Sequence, residues 1–326
     1  MNFIGIDVSK AKLDCCWLRD SETQKVKTKV FKNLPSEYSS LARWLTENTE
    51  SNPSQIHVVL EATSIYHEGI ATSLHDHGFK VSVINPLRSK EFAKSLGNTH
   101  KTDAKDSKVL ALFGQRMAPE AWQPEPLDIR EIRALSARLQ AVEKDLQRER
   151  NRLEKAEFSN SSSLVVGSLQ TMIDHLETEK KRLEDEIDDR IDRNPELKTD
   201  RSLLESIPGV GPVLSRVMLI VMHRHRFKTA GQLAAFLGLI PRIQQSGIWR
   251  GHSRMTKTGD PAIRSKLYMA AVVARTWNPD INLQFERLTS QGKTKMQAIG
   301  AAMRKLVQIC FGVLQHQSEY RPQLSS

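Results

Sequence analysis

Four acidic residues occupy positions where a carboxylate is hard to explain by folding alone. Asp7 interrupts an apolar strand pattern and Glu61 ends another, while Asp103 and Asp106 stand three apart at the start of a helical pattern. An i,i+3 pair projects from one helical face, so all four carboxylates can converge at one edge of a sheet. Carboxylate oxygens suit Mg²⁺, and two such ions activate a nucleophile and stabilise a leaving oxygen in phosphoryl transfer. The set therefore predicts a site for two Mg²⁺ ions.

Each member of this set also has an ordinary explanation. A single Asp is more often a cap or a surface residue, and Asp103 by itself fits a helix N-cap equally well. Lys101 and Lys105 flank the Asp pair and are candidates for balancing its charge or contacting phosphate, whereas Lys108 fits a solvated face. The combination of four is more specific than any one of them.

The elements that must position these carboxylates lie in residues 1–118, which we predict to form an α/β domain with a mixed sheet. The first three strands follow one another through short links, which is typical of an antiparallel meander. The later strands are separated by helices that pack on the sheet. The predicted strands are 3–8, 13–18, 25–32, 56–61 and 80–84, and the predicted helices are 39–47, 70–77, 87–96 and 103–116.

A second domain is predicted for residues 127–195, after prolines at 119, 124 and 126. Apolar residues there keep heptad spacing in two runs, which predicts a hairpin of two long coiled-coil arms interrupted at residues 159–163. A hairpin without any partner also explains the pattern. Arms of this length favour further packing, so we expect a dimerisation role.

Residues 198–326 are predicted to be an all-α domain of short helices separated by Gly/Pro turns. This part carries 19 Lys+Arg and 6 Asp+Glu, a net charge of +13, whereas the remainder has 29 and 32, a net of −3. Charge that only increased solubility would not segregate in this way. The distribution favours a polyanionic partner, most simply DNA or RNA.

Two segments of the basic domain are candidates for contacting nucleic acid. Gly209 and Gly211 lie in a pattern that looks like a helix-hairpin-helix element, whose turn presents backbone N–H groups to phosphate, although a plain turn between packed helices is the alternative. Ser246 stands beside a glycine in a basic loop, where arginines can stabilise charge on a phosphodiester. By composition alone Ser246 is an ordinary turn serine. The basic residues around it are Arg242, Arg250, His252, Arg254 and Lys257.

Composition and termini predict a soluble, cytoplasmic protein. Cys15, Cys16 and Cys310 form no CxxC pair, which argues against a structural zinc site or a disulfide framework. The first residues enter a strand pattern directly, without the features of a signal peptide. The longest apolar stretch, 213–222, contains Arg216 and is too short to span a membrane.

Taken together, the motifs resemble the insertion-sequence 110 family of transposases. GIDVSK at 5–10, EAT at 61–63 and KTDAKD at 101–106 resemble its DEDD, RuvC-like (RNase H-like) half. SIPGVG at 206–211, GLIPR at 238–242, QSG at 245–247 and the run 257–271 look like its C-terminal transposase half. The resemblance covers nearly the whole chain in the right order, and it does not depart from the family at the acidic positions or at the serine.

The resemblance implies a mechanism that composition does not. Family members are site-specific recombinases guided by a structured noncoding bridge RNA that pairs with donor and target DNA. By this resemblance Asp7, Glu61, Asp103 and Asp106 hold Mg²⁺, and Ser246 attacks DNA to form a 5′-phosphoserine link. Similar enzymes act as tetramers, each a pair of dimers, and combine the carboxylates of one protomer with the serine of another.

Four other functions remain open on these residues alone. A RuvC-like Holliday-junction nuclease shares the carboxylates but uses water as its nucleophile, and a Piv-like DNA invertase acts without a guide RNA. An actin-like sugar kinase has a first phosphate loop similar to residues 5–9, but the chain shows no second Gly-rich phosphate loop. A non-catalytic nucleic-acid scaffold explains the charge but leaves the carboxylates without a role.

Overall fold

The computed structural model describes residues 1–20, 22–97, 103–225, 227–242, 245–246, 249–250 and 254–323, apart from the side chains of 103–104, 245–246, 249–250 and 254. The chain divides into two compact units, Met1–Pro124 and Glu125–Ser326. The long helical hairpin expected as a separate domain lies in the second unit, together with the C-terminal helices.

A five-stranded sheet forms the centre of the first unit. Its spatial order is β3-β2-β1-β4-β5. The first three strands form the predicted antiparallel meander, and β4 and β5 run parallel to β1. The strands are β1 (Asn2–Val8), β2 (Lys12–Leu18), β3 (Val26–Lys32), β4 (Ile56–Glu61) and β5 (Lys80–Ile84). A mixed sheet is therefore confirmed, with strand bounds within one residue of the predicted ones.

Helices pack on both faces of this sheet. Alternate residues of a strand point to opposite faces, so each strand contributes side chains to both layers. Ile4, Ile6 and Val8 of β1 join the core that includes residues of α1 and α2. Val59 of β4 lies on the other face, in a core with Leu110 of α4. The helices of the first unit are α1 (Pro35–Thr49), α2 (Glu68–Asp76), α3 (Pro86–Ser95) and α4 (Asp103–Met117), with a 3-10 turn at Pro53–Gln55.

Helices account for most of the second unit, as predicted. They are α5 (Leu127–Phe158), α6 (Ser163–Arg193), α7 (Pro195–Glu205), α8 (Pro212–Arg224), α9 (Ala230–Phe236), α10 (Pro261–Trp277), α11 (Pro279–Ser290) and α12 (Lys295–His316). Asp260 caps α10 by accepting a hydrogen bond from the Ala262 N–H. Within the described residues no helix is both long and apolar enough to cross a membrane.

The second unit is not purely helical, which corrects the all-α prediction. Four two-residue strands follow α9: β6 (Pro241–Arg242), β7 (Gln245–Ser246), β8 (Trp249–Arg250) and β9 (Arg254–Met255). β6 pairs with β9 and β7 with β8, each antiparallel. We call residues 241–255 the ribbon. Strands of two residues are too short to show a period-2 hydrophobic pattern, so these residues carry no strand signal in the sequence.

α5 and α6 pack against each other in antiparallel directions. Arg150 pairs with Glu177 at 2.6 Å, and Arg190 pairs with Glu131 at the other end. Buried residues of both helices belong to the same hydrophobic core as the C-terminal helices, which explains why the hairpin is part of the second unit.

Candidate active site

Asp7 and Glu61 occupy matching positions on neighbouring strands. Ile6 of β1 is in register with Leu60 of β4, so the residues that follow them, Asp7 and Glu61, stand side by side where the two parallel strands end. Neighbouring strands lie about 4.8 Å apart, and residues in register point to the same face. The sheet therefore brings two of the four predicted carboxylates together.

Glycines on β1 and α4 set the direction of α4 across that same face. A Cβ atom at Gly5 would lie 1.9 Å from the Ser107 carbonyl oxygen, so the helix backbone rests directly on the strand. Farther along α4, a Cβ at Gly114 would lie 2.7 Å from the Val59 side chain and 3.5 Å from Phe3. The helix thus runs antiparallel to β1, and its N-terminus lies near the strand end that carries Asp7.

Asp103 and Asp106 belong to this N-terminal turn of α4. Asp106 is half-buried, whereas the side chain of Asp103 lies outside the described residues. The partial positive charge of a helix N-terminus stabilises nearby carboxylates. Among the side chains that the structure describes, no group of three His, Cys, Asp or Glu residues has the arrangement of a metal site.

Ser89 of α3 holds Glu61, a role that no sequence signal indicated. Its hydroxyl donates to Glu61 Oε2 and also lies 2.9 Å from the Pro86 carbonyl oxygen. Ser89 is buried, and α3 begins directly after β5, the neighbour of β4. A helical serine is usually a weak signal, so only the fold reveals that it orients a carboxylate.

Asp14 is a further carboxylate on the same face, and the sequence did carry a signal for it. It is the register partner of Asp7 on β2, and its Oδ2 lies 3.1 Å from Lys12 Nζ. Like Asp7, it is a charged residue within an apolar strand pattern. Next to it, burial raises the pKa of the Cys16 thiol to about 11 although Lys108 lowers it, so this cysteine stays protonated at neutral pH.

The ribbon carries Ser246 at the register position opposite Trp249. Its base is tightly packed: a Cβ at Gly238 would lie 2.8 Å from Thr258 N, and one at Gly259 would lie 2.5 Å from the Phe236 carbonyl oxygen. Gly238 also has φ +71°, a conformation that favours glycine. Close backbone contacts between the residues just before and just after the ribbon therefore hold its two ends together.

The two glycines of the predicted helix-hairpin-helix turn have different surroundings. Gly209 has φ +99°, and a Cβ there would lie 2.5 Å from the Ala274 Cβ, so its lack of a side chain serves packing against α10. Gly211 precedes α8, and a Cβ there would meet nothing within 4 Å. At Gly211 the direction in which a Cβ would point is open, whereas at Gly209 it is filled by α10.

The structure describes the side chains of some residues predicted to contact nucleic acid but not of others. Lys105, Arg242 and Lys257 are exposed. Lys101 lies outside the described residues, as do the side chains of Arg250 and Arg254, although their backbones belong to β8 and β9.

Comparisons with known proteins identify the family. Residues 4–156 match a family model described as "Transposase", the DEDD transposase of IS110, and residues 201–286 match one described as "Transposase IS116/IS110/IS902 family". The chain is 33% identical over 315 residues to the pilin gene-inverting proteins of Moraxella lacunata and Moraxella bovis, covering 96% of this chain and 95% of each relative. The chain belongs to the IS110 transposase family. It is 24% identical to an insertion element IS110 protein of Streptomyces coelicolor over 49% of this chain and 39% of that one.

Membership in the IS110 family makes the chain a DNA recombinase or transposase. The first family match contains Asp7, Glu61, Asp103 and Asp106, and the second contains the ribbon with Ser246. A superposition on the Thermus thermophilus RuvC structure covers 37% of the chain with a TM-score of 0.28 and 14% identity, too weak to support any statement about fold.

Proposed function

We propose that this IS110-family recombinase cuts and rejoins DNA with Ser246 as nucleophile and with Asp7, Glu61, Asp103 and Asp106 as the binding site for Mg²⁺, two ions per site. The observation that carries this proposal is the contact of α4 with Gly5, which brings the start of α4 to the strand ends where Asp7 and Glu61 stand side by side.

The residues at this edge fit a hard divalent cation. Asp7 and Glu61 offer carboxylate oxygens at one strand spacing, and Asp106 belongs to a helix turn that approaches the same edge. When bound, Mg²⁺ acts as a Lewis acid that lowers the pKa of an attacking hydroxyl and stabilises charge on phosphate. The chain's own contribution is to hold the carboxylates ready, with Ser89 fixing the Glu61 rotamer.

Ser246 supplies the nucleophile in this proposal. Its Oγ attacks a DNA phosphorus and loses its proton, the bond to the 3′ oxygen breaks, and that oxygen takes up a proton. The products are a 5′-phosphoserine link and a free 3′-hydroxyl. During rejoining, a 3′-hydroxyl attacks the phosphorus of the phosphoserine link on another strand and loses its proton. The bond from phosphorus to Ser246 Oγ breaks, and that oxygen takes up a proton. A serine hydroxyl is a poor nucleophile at neutral pH, so it depends on activation by the carboxylate site. In the family this activation combines different subunits.

A bridge RNA supplies the sequence recognition, by base pairing with donor and target DNA. The net charge of +13 on residues 198–326 supports a nucleic-acid partner, and this part shows no recognition-helix motif that would read bases itself. A RuvC-like (RNase H-like) fold for the first unit, a helix-hairpin-helix at 203–213 and a coiled-coil assembly into dimers and tetramers complete the proposal. Phe158 and Leu164, strongly exposed near the tip of the hairpin, support assembly through α5 and α6.

Ser246→Ala tests the serine mechanism, and Ser253→Ala is the matched control in the same segment. Each full-length variant is incubated with Mg²⁺, its copurified RNA and supercoiled DNA carrying the element ends, and the products are separated on a denaturing gel. We expect wild type and Ser253→Ala to form a covalent protein–DNA adduct, and Ser246→Ala to form none while still binding RNA and DNA. An adduct that persists in Ser246→Ala would overturn Ser246 as the nucleophile, whereas DNA cleavage by the wild-type protein without any adduct would favour a water-dependent nuclease.

A DNA invertase without guide RNA is the second candidate, favoured by the similarity to the pilin gene-inverting proteins over nearly the full length. Sequencing of RNA that copurifies with the protein separates the two. One discrete RNA that maps beside the gene supports bridge-RNA guidance, whereas its absence from an active, pure enzyme supports the invertase.

A further inference from the structure

Part of the sheet face that carries Asp7 is open to solvent. On this face α4 packs against β1 and β2, and Leu18 at the end of β2 shares a core with residues of α4. β3 continues the sheet beyond β2, and each of its residues except Phe31 is exposed. Val30 is in register with Asp14, which is in register with Asp7. Neighbouring strands lie about 4.8 Å apart, so an accessible surface begins about 10 Å from Asp7.

Two lysines stand opposite each other on this face. Lys12 of β2 is the register partner of Lys32 of β3, and alternation along the strands places both on the face of Asp7 and Asp14. The Lys12 side chain is 44% exposed, and its Nζ lies 3.1 Å from Asp14 Oδ2, which directs the ammonium group back toward the carboxylates. Like charges directly opposite each other destabilise a sheet. Strand pairing therefore gives no reason for two lysines at these positions.

Protection of the sheet edge explains the other lysines of β3 better than it explains Lys32. Edge strands commonly carry lysine, which prevents pairing with another sheet, and β3 is an edge strand. Lys27 and Lys29 belong to the opposite face, where Lys27 donates to Asn48 and Lys29 Nζ lies 4.8 Å from the centre of the Phe31 ring. Lys32 is exposed and makes no ion pair with any residue that the structure describes. Its charge is available to a partner.

We propose that Lys12 and Lys32 bind a backbone phosphate of the DNA strand that is cut at the edge carrying Asp7 and Glu61. Each ammonium group donates up to three hydrogen bonds, and a phosphate between them replaces their mutual repulsion by attraction. The distance of about 10 Å between β1 and β3 corresponds to about three nucleotides, at about 3.4 Å of axial rise each. The bound phosphate therefore lies within about three nucleotides of the scissile one.

The two lysines are binding and positioning residues in this scheme. A phosphate contact fixes the register of a strand and carries no sequence information, which agrees with sequence recognition by an RNA. The inference rests on the proposed function, because that function supplies the scissile phosphate.

The test combines the double variant Lys12→Gln, Lys32→Gln with DNA in which single phosphates are replaced, one position at a time, by uncharged methylphosphonates. Full-length protein that also carries Ser246→Ala, together with its copurified RNA, binds DNA carrying the element ends, so affinity is measured without serine attack. We expect one methylphosphonate to weaken binding by about tenfold, and the double variant to lose about the same factor on unmodified DNA. Both changes together should weaken binding no more than either alone, because they remove the same contact.

The matched control is the double variant Lys27→Gln, Lys29→Gln. It removes two exposed charges from the same strand, but on the opposite face, and should respond to every methylphosphonate as the parent does. Lys32→Gln alone leaves the ion pair between Lys12 and Asp14 intact, and it repeats the measurement if the first double variant is unstable.

Three results would overturn the site. In the first, the variant at Lys12 and Lys32 still loses affinity at every methylphosphonate that affects the parent. In the second, it loses affinity for the RNA alone, because the phosphate then belongs to the RNA. In the third, the control variant changes equally, so only net charge matters. Since affinity is compared without serine attack, these results judge the lysines even if the wild-type protein forms no adduct and the serine mechanism fails.

Discussion

The sheet edge that carries Asp7 and Glu61, which we call the carboxylate edge, belongs to the first unit, and the ribbon belongs to the second. These two regions hold their proposed reactive groups in different ways. At the edge, register in a parallel sheet places Asp7 beside Glu61, and backbone contact at Gly5 fixes the start of α4. In the ribbon, Ser246 belongs to a two-residue strand whose support comes from tight backbone contacts at its base and from Met255 against α12. The first arrangement is rigid by construction, whereas the second depends on a few contacts at its ends.

This contrast fits the proposed roles of the two regions. Metal-binding carboxylates must be held within a fraction of an ångström to keep their geometry. A nucleophile that joins and leaves a DNA strand can stand on a segment with fewer supports, provided that the bound strand completes its positioning. Variants in the two regions should therefore differ in how strongly a loss of stability reduces DNA cleavage.

The largest expected effect is that of Asp7→Asn at the rigid edge. The amide keeps the shape of the side chain but removes its charge, so we expect strand cleavage in Mg²⁺ to fall by ~10³-fold or more, with little change in the melting temperature. Cleavage is measured in single turnovers. Asp76→Asn, at the exposed end of α2, is the control and should retain full activity. Substantial cleavage by Asp7→Asn would show that the carboxylate site is not needed for cleavage.

Gly5→Ala and Gly300→Ala compare the supports of the two regions directly. The new methyl group at Gly5 meets backbone of α4 at 1.9 Å, so α4 must shift and the protein should lose about 3 kcal/mol of unfolding free energy together with its cleavage activity. At Gly300 the group met is the flexible end of Met255, so we expect a change below about 1 kcal/mol.

Chemical denaturation, followed separately by probes in each unit, checks this difference. Gly167→Ala on α6 is the control, because a Cβ there meets nothing within 4 Å and alanine favours a helix by ~1 kcal/mol. Equal losses at Gly5 and Gly300 would show that the ribbon is supported as rigidly as the sheet edge.

The carboxylate edge was more predictable from the amino-acid sequence than the ribbon, for physical reasons. A clear apolar pattern shows that Asp7 and Glu61 each lie near the end of a strand, so the sequence predicts that they can converge at one sheet edge. That β1 and β4 are neighbours in register is seen only in the sheet itself. The same pattern marked Asp14, which sequence reasoning passed over. Ser89 and Gly5 act through tertiary contacts that have no local signal. The ribbon is set by pairing between two-residue strands, which no periodicity reveals, and Ser246 was found only through a family motif.

Ser89→Ala should produce a smaller, separable effect at the edge. The variant removes the hydroxyl that donates to Glu61 and leaves the fold of α3 intact, since alanine is a good helix former. We expect about 1 kcal/mol less stability and a roughly tenfold loss in cleavage that is partly rescued by higher Mg²⁺ concentration. Ser95→Ala, at the exposed end of the same helix, is the control. A loss that does not respond to Mg²⁺ would mean that Ser89 does not act through Glu61.

The smallest expected effect is on how stability depends on pH. Both units should show this dependence, each through a different histidine. Burial lowers the pKa of His57 in β4 from 6.5 to about 4, helped by Lys80, and burial also lowers the pKa of His225, after α8, to about 4, helped by Arg224. Between these values the unfolded chain binds more protons than the folded one, so stability is full above pH 6.5 and is lost as the pH falls toward 4.

His57→Leu and His225→Leu distinguish the two contributions. Hydrogen exchange read out by peptide follows β1 and β4 for the first unit and α8 for the second, which avoids the assumption that both units unfold together. His57→Leu should flatten the pH dependence of the first unit only, and His225→Leu that of the second only. Because His57 also contacts Ser82 at 2.8 Å, its replacement should lower stability at pH 7 as well. If either variant flattens the pH dependence of hydrogen exchange in both units, then protection in one unit depends on the other. The contrast between a self-supporting sheet edge and a separately supported ribbon would then have to be given up.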